Sequence, residues 1–214
     1  MVDLPMSVDK LLEGVDAIIV THTHADHWDE AAQQQLPKDL PIFVQNAGDA
    51  TIIRSQGFKD VRVVGKNTEF KQVKLSKVGG QHGTDAMYAI PQLAEMAGEA
   101  MGVVLQAKGE KTMYLMGDTI WTYQVDHALK TYQPEVIVMN TGYAQLTGFD
   151  GSIIMGTEDV AKAYKVMPKA NIITVHMDAV NHCVVSSDDM RKFVTKHHLT
   201  KRVAVPKGGD SFTF

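Results

Sequence analysis

The chain has 214 residues, 44% of them apolar and 21% charged, with a formal net charge of −4. That balance belongs to a globular protein with a core of its own and excludes a disordered chain or a binder of nucleic acid through global charge. No apolar run approaches the ~20 residues a membrane-spanning helix needs, and the single cysteine, Cys183, excludes an internal disulfide and fits a reducing, cytoplasmic setting.

The N-terminus, Met1-Val2-Asp3-Leu4-Pro5, lacks the basic and apolar regions of a secretory signal. Ser7 then caps a short helix that Gly14 stops. Val15 to Val20 is an apolar, β-branched run and predicts a buried strand. Asp29 caps a helix from Ala31 to Leu36, which Pro37 ends. Strands are expected at Pro41–Gln45 and Val61–Val64, separated by a weak helical pattern from Gly48 to Gln56. This stretch alternates β and α with short connections.

From Thr68 the period changes, and Phe70, Val73, Leu75 and Val78 predict consecutive short strands. Thr84 to Ala100 has the least regular pattern, reading either as a Met- and Tyr-bearing pocket wall or as a packed surface loop. Met101–Ala107 and Lys111–Met116 flank Lys108-Gly109-Glu110 and predict a hairpin. A helix follows from Trp121 to Tyr132, with His127 inside it. Strands at Glu135–Asn140 and Ile172–Val175 enclose a helix from Thr157 to about Met167. Ser186 or Ser187 caps a last helix to about His197, and Arg202–Val205 closes the pattern. The basic segment Lys196–Arg202 suits the end of that helix. No repeat or linker interrupts the pattern, so residues 1–214 are expected to form one domain.

The chemistry concentrates in Thr21-His22-Thr23-His24-Ala25-Asp26-His27-Trp28-Asp29. Three histidines and two carboxylates leave a predicted strand end together. In extended backbone, residues two apart point the same way, so His22 and His24 can share one ion. Asp26 and His27 are then free for a second. Imidazole and carboxylate without thiolate suit zinc, manganese or iron. Three later residues repeat the placement. His82 sits among glycines in Gly79-Gly80-Gln81-His82-Gly83, where a surface turn is the alternative. Asp118 follows a strand in Gly117-Asp118-Thr119, where helix capping is the alternative. His176 ends Ile172-Ile173-Thr174-Val175, with His182 as its rival.

The His-x-His-x-Asp-His motif at 22–27, followed by His82, Gly117-Asp118-Thr119 and His176, resembles the metallo-β-lactamase superfamily from position 21 to 176. The resemblance implies an α/β fold, a four-layer αββα sandwich. It implies His22, His24 and His82 on one metal, Asp26, His27 and His176 on a second, and Asp118 bridging. An aspartate rather than a cysteine at the bridge is similar to the glyoxalase II and phosphodiesterase branches. Asn140–Ala144, Met155–Val160 and His176–Cys183 look closest to the branch with ascorbate-6-phosphate lactonase.

Such folds usually begin with two or three strands before the motif, whereas about twenty residues precede His22 here. The first sheet is therefore expected to lack its first N-terminal strands: either the chain is a truncated form of a longer protein, or a partner chain, as in a homo-oligomer, covers the exposed edge. The expected activity is that of a binuclear hydrolase with two divalent ions, zinc foremost. A metal-bridging hydroxide would attack a small anionic ester, lactone or phosphoester. Asp26 would orient that nucleophile. His182 would serve as proton donor or substrate contact, or else as a packed histidine; Tyr143 and Trp121 are lesser pocket candidates. The competing readings are a redox di-iron protein, against which Thr23 stands where such members prefer glutamate, and a non-catalytic form of the fold. The expected partner is a small molecule, with neither nucleic acid nor membrane.

Overall fold

The computed structural model describes residues 4–65 and 67–214. Its first part is a three-stranded parallel sheet in the order β1 (Ile18–Val20), β2 (Ile42–Val44), β3 (Val61–Val63). Helices α1 (Val8–Leu11), α2 (Glu30–Gln35) and α3 (Ala47–Ser55) accompany it. Strand periodicity sorts its side chains. Ile42 and Val44 pack with Ala50, Ile53 and Trp28 on the helix side, while Phe43 faces the other way. Among the described residues β1 pairs only with β2, leaving the open edge the sequence leads one to expect.

The second sheet has seven strands in the order β10-β9-β8-β7-β6-β5-β4. These are β4 (Thr68–Phe70), β5 (Val73–Gly79), β6 (Met101–Gln106), β7 (Met113–Leu115), β8 (Val136–Asn140), β9 (Asn171–Val175) and β10 (Val203–Ala204). β6 runs antiparallel to both β5 and β7, and β7, β8 and β9 are parallel. The ends of β5, β7 and β9 therefore open on the same edge of the sheet. The hairpin β6–β7 is the one expected around Lys108-Gly109-Glu110.

The two sheets meet face to face through Phe43, Val64, Leu75, Met101 and Val103. The outer face of the second sheet is covered by α6 (Tyr123–Tyr132), α7 (Thr157–Val166) and α8 (Ser187–Lys196). Val125, Leu129, Val160, Ala163, Met190 and Val194 of these helices close over Tyr114, Ile137, Met139 and Ile172. The result is the expected αββα layering. Each fully buried side chain of this size contributes ~1.5–3 kcal/mol. Asp29, Thr122 and Ser186 cap α2, α6 and α8 through their side chains.

The stretch from Thr84 to Ala100 is more regular than expected. It forms two short helices, α4 (Asp85–Tyr88) and α5 (Pro91–Ala97). α5 buries none of its residues, so it has no apolar stripe for periodicity to reveal. Pro at its start and Gly98, with φ of +59°, at its end fix its limits. No helix among the described residues is long and apolar enough to cross a membrane.

Candidate metal centre

Each candidate residue stands just beyond the C-terminal end of a strand: His22 after β1, His82 after β5, Asp118 after β7 and His176 after β9. Glycines allow close approaches beside these strand ends, two of them just before His82 and Asp118. A Cβ at Gly80 would lie 2.6 Å from the Ala100 carbonyl oxygen. One at Gly117, whose φ is +70°, would lie 2.5 Å from that of Met101. No helix begins at Asp118 or Thr119; the next starts at Tyr123. His82 is buried rather than set on a surface turn.

His22, His24 and His82 form one group, and Asp26, His27, Asp118 and His176 a second. In each group the candidate ligand atoms lie within 4.8 Å of one another. All seven residues singled out in the sequence are thus brought together. The groups adjoin through Asp118. Its Oδ2 lies 3.0 Å from His27 Nε2, 3.6 Å from His176 Nε2, 3.7 Å from His82 Nε2 and 3.9 Å from His22 Nε2. Asp26 Oδ2 lies 3.3 Å from His176 Nε2 and 3.5 Å from His27 Nε2.

Hydrogen bonds set which ring nitrogen each histidine presents. His82 Nδ1 donates to the Ile153 carbonyl across 2.9 Å, which leaves Nε2 facing the cluster. His24 is turned the other way, with Nε2 donating to the Met96 carbonyl across 3.0 Å. His22 Nδ1 pairs with Thr21 Oγ1 at 3.1 Å, and its Nε2 is buried with no hydrogen-bond partner. A buried nitrogen of that kind is costly unless something else satisfies it. Thr23 Oγ1 donates to Asp49 Oδ1 and joins neither group.

The protonation pattern differs between the groups. Burial takes the His22 imidazole down to about 3 and lowers His82 as well. Burial works to raise Asp118, but the hydrogen bond from His27 and the surrounding imidazoles hold it well below the usual carboxylate range. The His176 bond likewise holds Asp26 low. Burial opposes the charge on His176, yet its bond to Asp26 prevails and pushes it up to about 10. In the first group His22 and His82 therefore offer neutral nitrogens. In the second, a proton on His176 occupies the place a cation would contest.

A cavity of about 470 Å³ opens over the cluster, with His24, Asp26 and His82 on its floor. Met96, Leu146 and Ile153 supply apolar wall, and Gln145, Thr147 and His182 the polar remainder. Its lining contains neither lysine nor arginine. His182 reaches the cavity but belongs to neither group. Tyr143 and Trp121 are not part of the wall; Trp121 instead donates to Asp126 on α6. His127 is exposed and stacks on Tyr123.

Sequence reasoning missed the partners behind the cluster. The Met96 and Ile153 carbonyls belong to the backbone and leave no side-chain signal. Asn140, which bonds Asp118, ends a strand just as the other site residues do, and that placement was the available clue. Cys183, expected as small apolar filling, is half-buried with Sγ 3.8 Å from His176 Nδ1 and 3.6 Å from the His176 carbonyl.

The likeness to known proteins agrees with this geometry. Residues 2–177 match the family described as the beta-lactamase superfamily domain. UPF0173 protein YddR of Bacillus subtilis is 41% identical over 214 residues, spanning all of this chain and 82% of its own length. The crystal structure titled as a possible metal-dependent hydrolase from Veillonella parvula DSM 2008 is 53% identical. It superposes with a TM-score of 0.98 and covers 100% of this chain and 82% of that one. The structure of isothiocyanate hydrolase from Delia radicum gut bacteria is 42% identical with a TM-score of 0.93, over 98% of this chain and 82% of that one. By its matched residues, its αββα layering and the all-histidine group and the histidine–aspartate group that adjoin at the strand ends, the chain belongs to the beta-lactamase superfamily.

Proposed function

We propose that this chain, a metal-dependent hydrolase, holds two divalent ions side by side. One would rest on His22, His24 and His82, the other on Asp26, His27 and His176, with Asp118 shared. The observation that carries the reading is the position of Asp118 Oδ2, 3.0 to 3.9 Å from ring nitrogens of both groups. The residues fit such ions on independent grounds. His22 Nε2 is buried without a partner, and two carboxylates are held ionised beside it. Nitrogen and oxygen donors without thiolate favour zinc, with manganese or iron also accommodated.

Bound there, divalent ions supply Lewis acidity and make water acidic enough to act as a nucleophile near neutral pH. The chain supplies the rest. Asp26, with its carboxylate 24% exposed, faces both the cluster and the cavity and orients the attacking water. Met96, Leu146 and Ile153 hold the apolar part of the substrate and keep bulk water off it. His182, on the wall, holds a proton for the departing group.

The lining also bears on the substrate. No lysine or arginine lines the cavity, so its positive charge would come from the bound ions alone, and the apolar wall suits, as well as the anionic esters expected above, a small neutral electrophile. An isothiocyanate is such a molecule, and the 42% identical neighbour is titled an isothiocyanate hydrolase. Hydrolysis of R–N=C=S with one water gives the amine and carbonyl sulfide. We take isothiocyanates as the first class to test.

The test combines metal analysis of the purified protein with turnover of isothiocyanates, lactones, thioesters and phosphodiesters. Two ions per chain with amine release from isothiocyanates supports the reading. Turnover of phosphodiesters alone would return the anionic class, and a two-ion protein inert towards all four would overturn hydrolysis.

A further inference from the structure

The two oxygens of Asp118 are in different company. Oδ2 faces ring nitrogens of both groups, as described. Oδ1 accepts a hydrogen bond from Asn140 Nδ2 across 2.5 Å. The carboxylate is 3% exposed, so no bulk solvent competes for either oxygen. Asn140 is the last residue of β8, which pairs in parallel with β7, the strand leading to Asp118. Adjacent strands thus fix donor and acceptor relative to one another.

A free carboxylate can rotate about its Cβ–Cγ bond and offer both oxygens to cations. Here an amide donor engages Oδ1, so rotation would break a charge-assisted bond inside a buried site. We infer that Asn140 is a positioning residue that reserves Asp118 Oδ1 and leaves Oδ2 as the single atom shared between the two metal groups. The inference rests on the two-ion reading above. Outer partners of this kind typically change metal affinity by ~10–100-fold when removed.

Three variants separate this role from packing. Asn140→Leu keeps the volume and removes the donor. Asn140→Asp keeps the shape and sets a second acceptor against Oδ1. Asn140→Gln keeps an amide donor on a longer stem. Each metal-free protein, checked for folding by far-ultraviolet circular dichroism, is titrated with Mn²⁺ alone. Calorimetry follows affinity, and electron paramagnetic resonance follows the spin-coupled pair.

The expected order of second-ion affinity is wild type, then Gln, then Leu, then Asp, with Leu weaker than wild type by ~10–100-fold. The coupled signal should fade in the same order. If Leu does not fold, the Gln and Asp variants decide by the same ranking. Equal affinities and coupled signals across the folded variants would overturn the positioning role while leaving the two-ion site intact. A wild-type protein that takes up only one ion would overturn the two-ion reading and this inference with it.

Discussion

His24 Nε2 donates to the backbone carbonyl of Met96, whereas His82 presents the opposite face of its ring by donating from Nδ1 to Ile153. A carbonyl only accepts, so the proton on each neutral ring sits on the bonded nitrogen. His24 is left with Nδ1 for an ion, and His82 with Nε2. The two histidines of one group thus use different atoms.

That difference is testable by side-chain length. The amide group of asparagine falls where Nδ1 lies in histidine, and that of glutamine falls where Nε2 lies. His24→Asn should therefore hold an ion better than His24→Gln, by about tenfold on the scale of such changes. The order should reverse at His82, with Gln better than Asn. Residual zinc after dialysis against a weak chelator measures it. The same order at both positions would contradict the assigned ring orientations.

The metal-free chain should have a stability maximum near the ordinary histidine value of 6.5. Burial takes His22 down to about 3, so its neutral form contributes stability above 6.5 that is lost as the pH falls toward 3. Burial opposes His176, but the Asp26 bond pushes it up to about 10. Its contribution is whole below 6.5 and is lost progressively as the pH rises from there to 10. Melting temperatures in chelator between pH 5 and 9 should fall on both sides. In His176→Gln the alkaline decline should flatten; an unchanged slope would remove His176 as its source.

Much of this site was legible because strand ends announce themselves. A β-branched run followed by a histidine occurs at Val20 and Val175, an apolar strand leading through Gly117 to an aspartate occurs at Leu115, and the structure brings the residues beyond all three ends together. The continuous apolar run Ile42-Phe43-Val44 likewise marked a strand, and its burial on both faces, one against helices and the other against the second sheet, accounts for the run. What the sequence withheld was carried by backbone and by context. The Met96 and Ile153 carbonyls have no residue signature, and α5 shows no periodicity because it buries nothing. The absence of lysine and arginine from the cavity was hidden for a different reason. The wall joins Met96, from the stretch that reads as a pocket wall or a surface loop, to Leu146 and Ile153 about fifty residues later, which would pass as ordinary loop or core.

The lining makes a prediction about selectivity. Leu146 borders the cavity and is only half-buried, so a longer cationic side chain can replace it without opening the core. Leu146→Lys should raise KM for a neutral substrate and lower it for an anionic one, each by about tenfold. Metal content should stay as in wild type, since Leu146 belongs to neither histidine group. Parallel kinetics on an isothiocyanate and a carboxylate-bearing ester measure the exchange. A loss on both substrates would show that the wall does not select by charge.

His182 offers the sharpest separation of proton transfer from metal binding. It lines the cavity beside Gln145, whose backbone N–H donates to the His182 carbonyl across 3.2 Å, and it lies outside both metal groups. A histidine so placed can reach substrate while leaving the ions untouched. If it donates a proton to the departing group, His182→Gln should lower kcat by ~10²–10⁴-fold, with metal stoichiometry unchanged. The loss should also depend on the leaving group. A substrate whose departing group needs no proton should be turned over by the variant at close to the wild-type rate. The pH profile adds a second reading, because the limb of kcat that belongs to the donor should vanish in the variant. A uniform fall in kcat for every leaving group, with the profile unchanged, would leave His182 as part of the cavity wall.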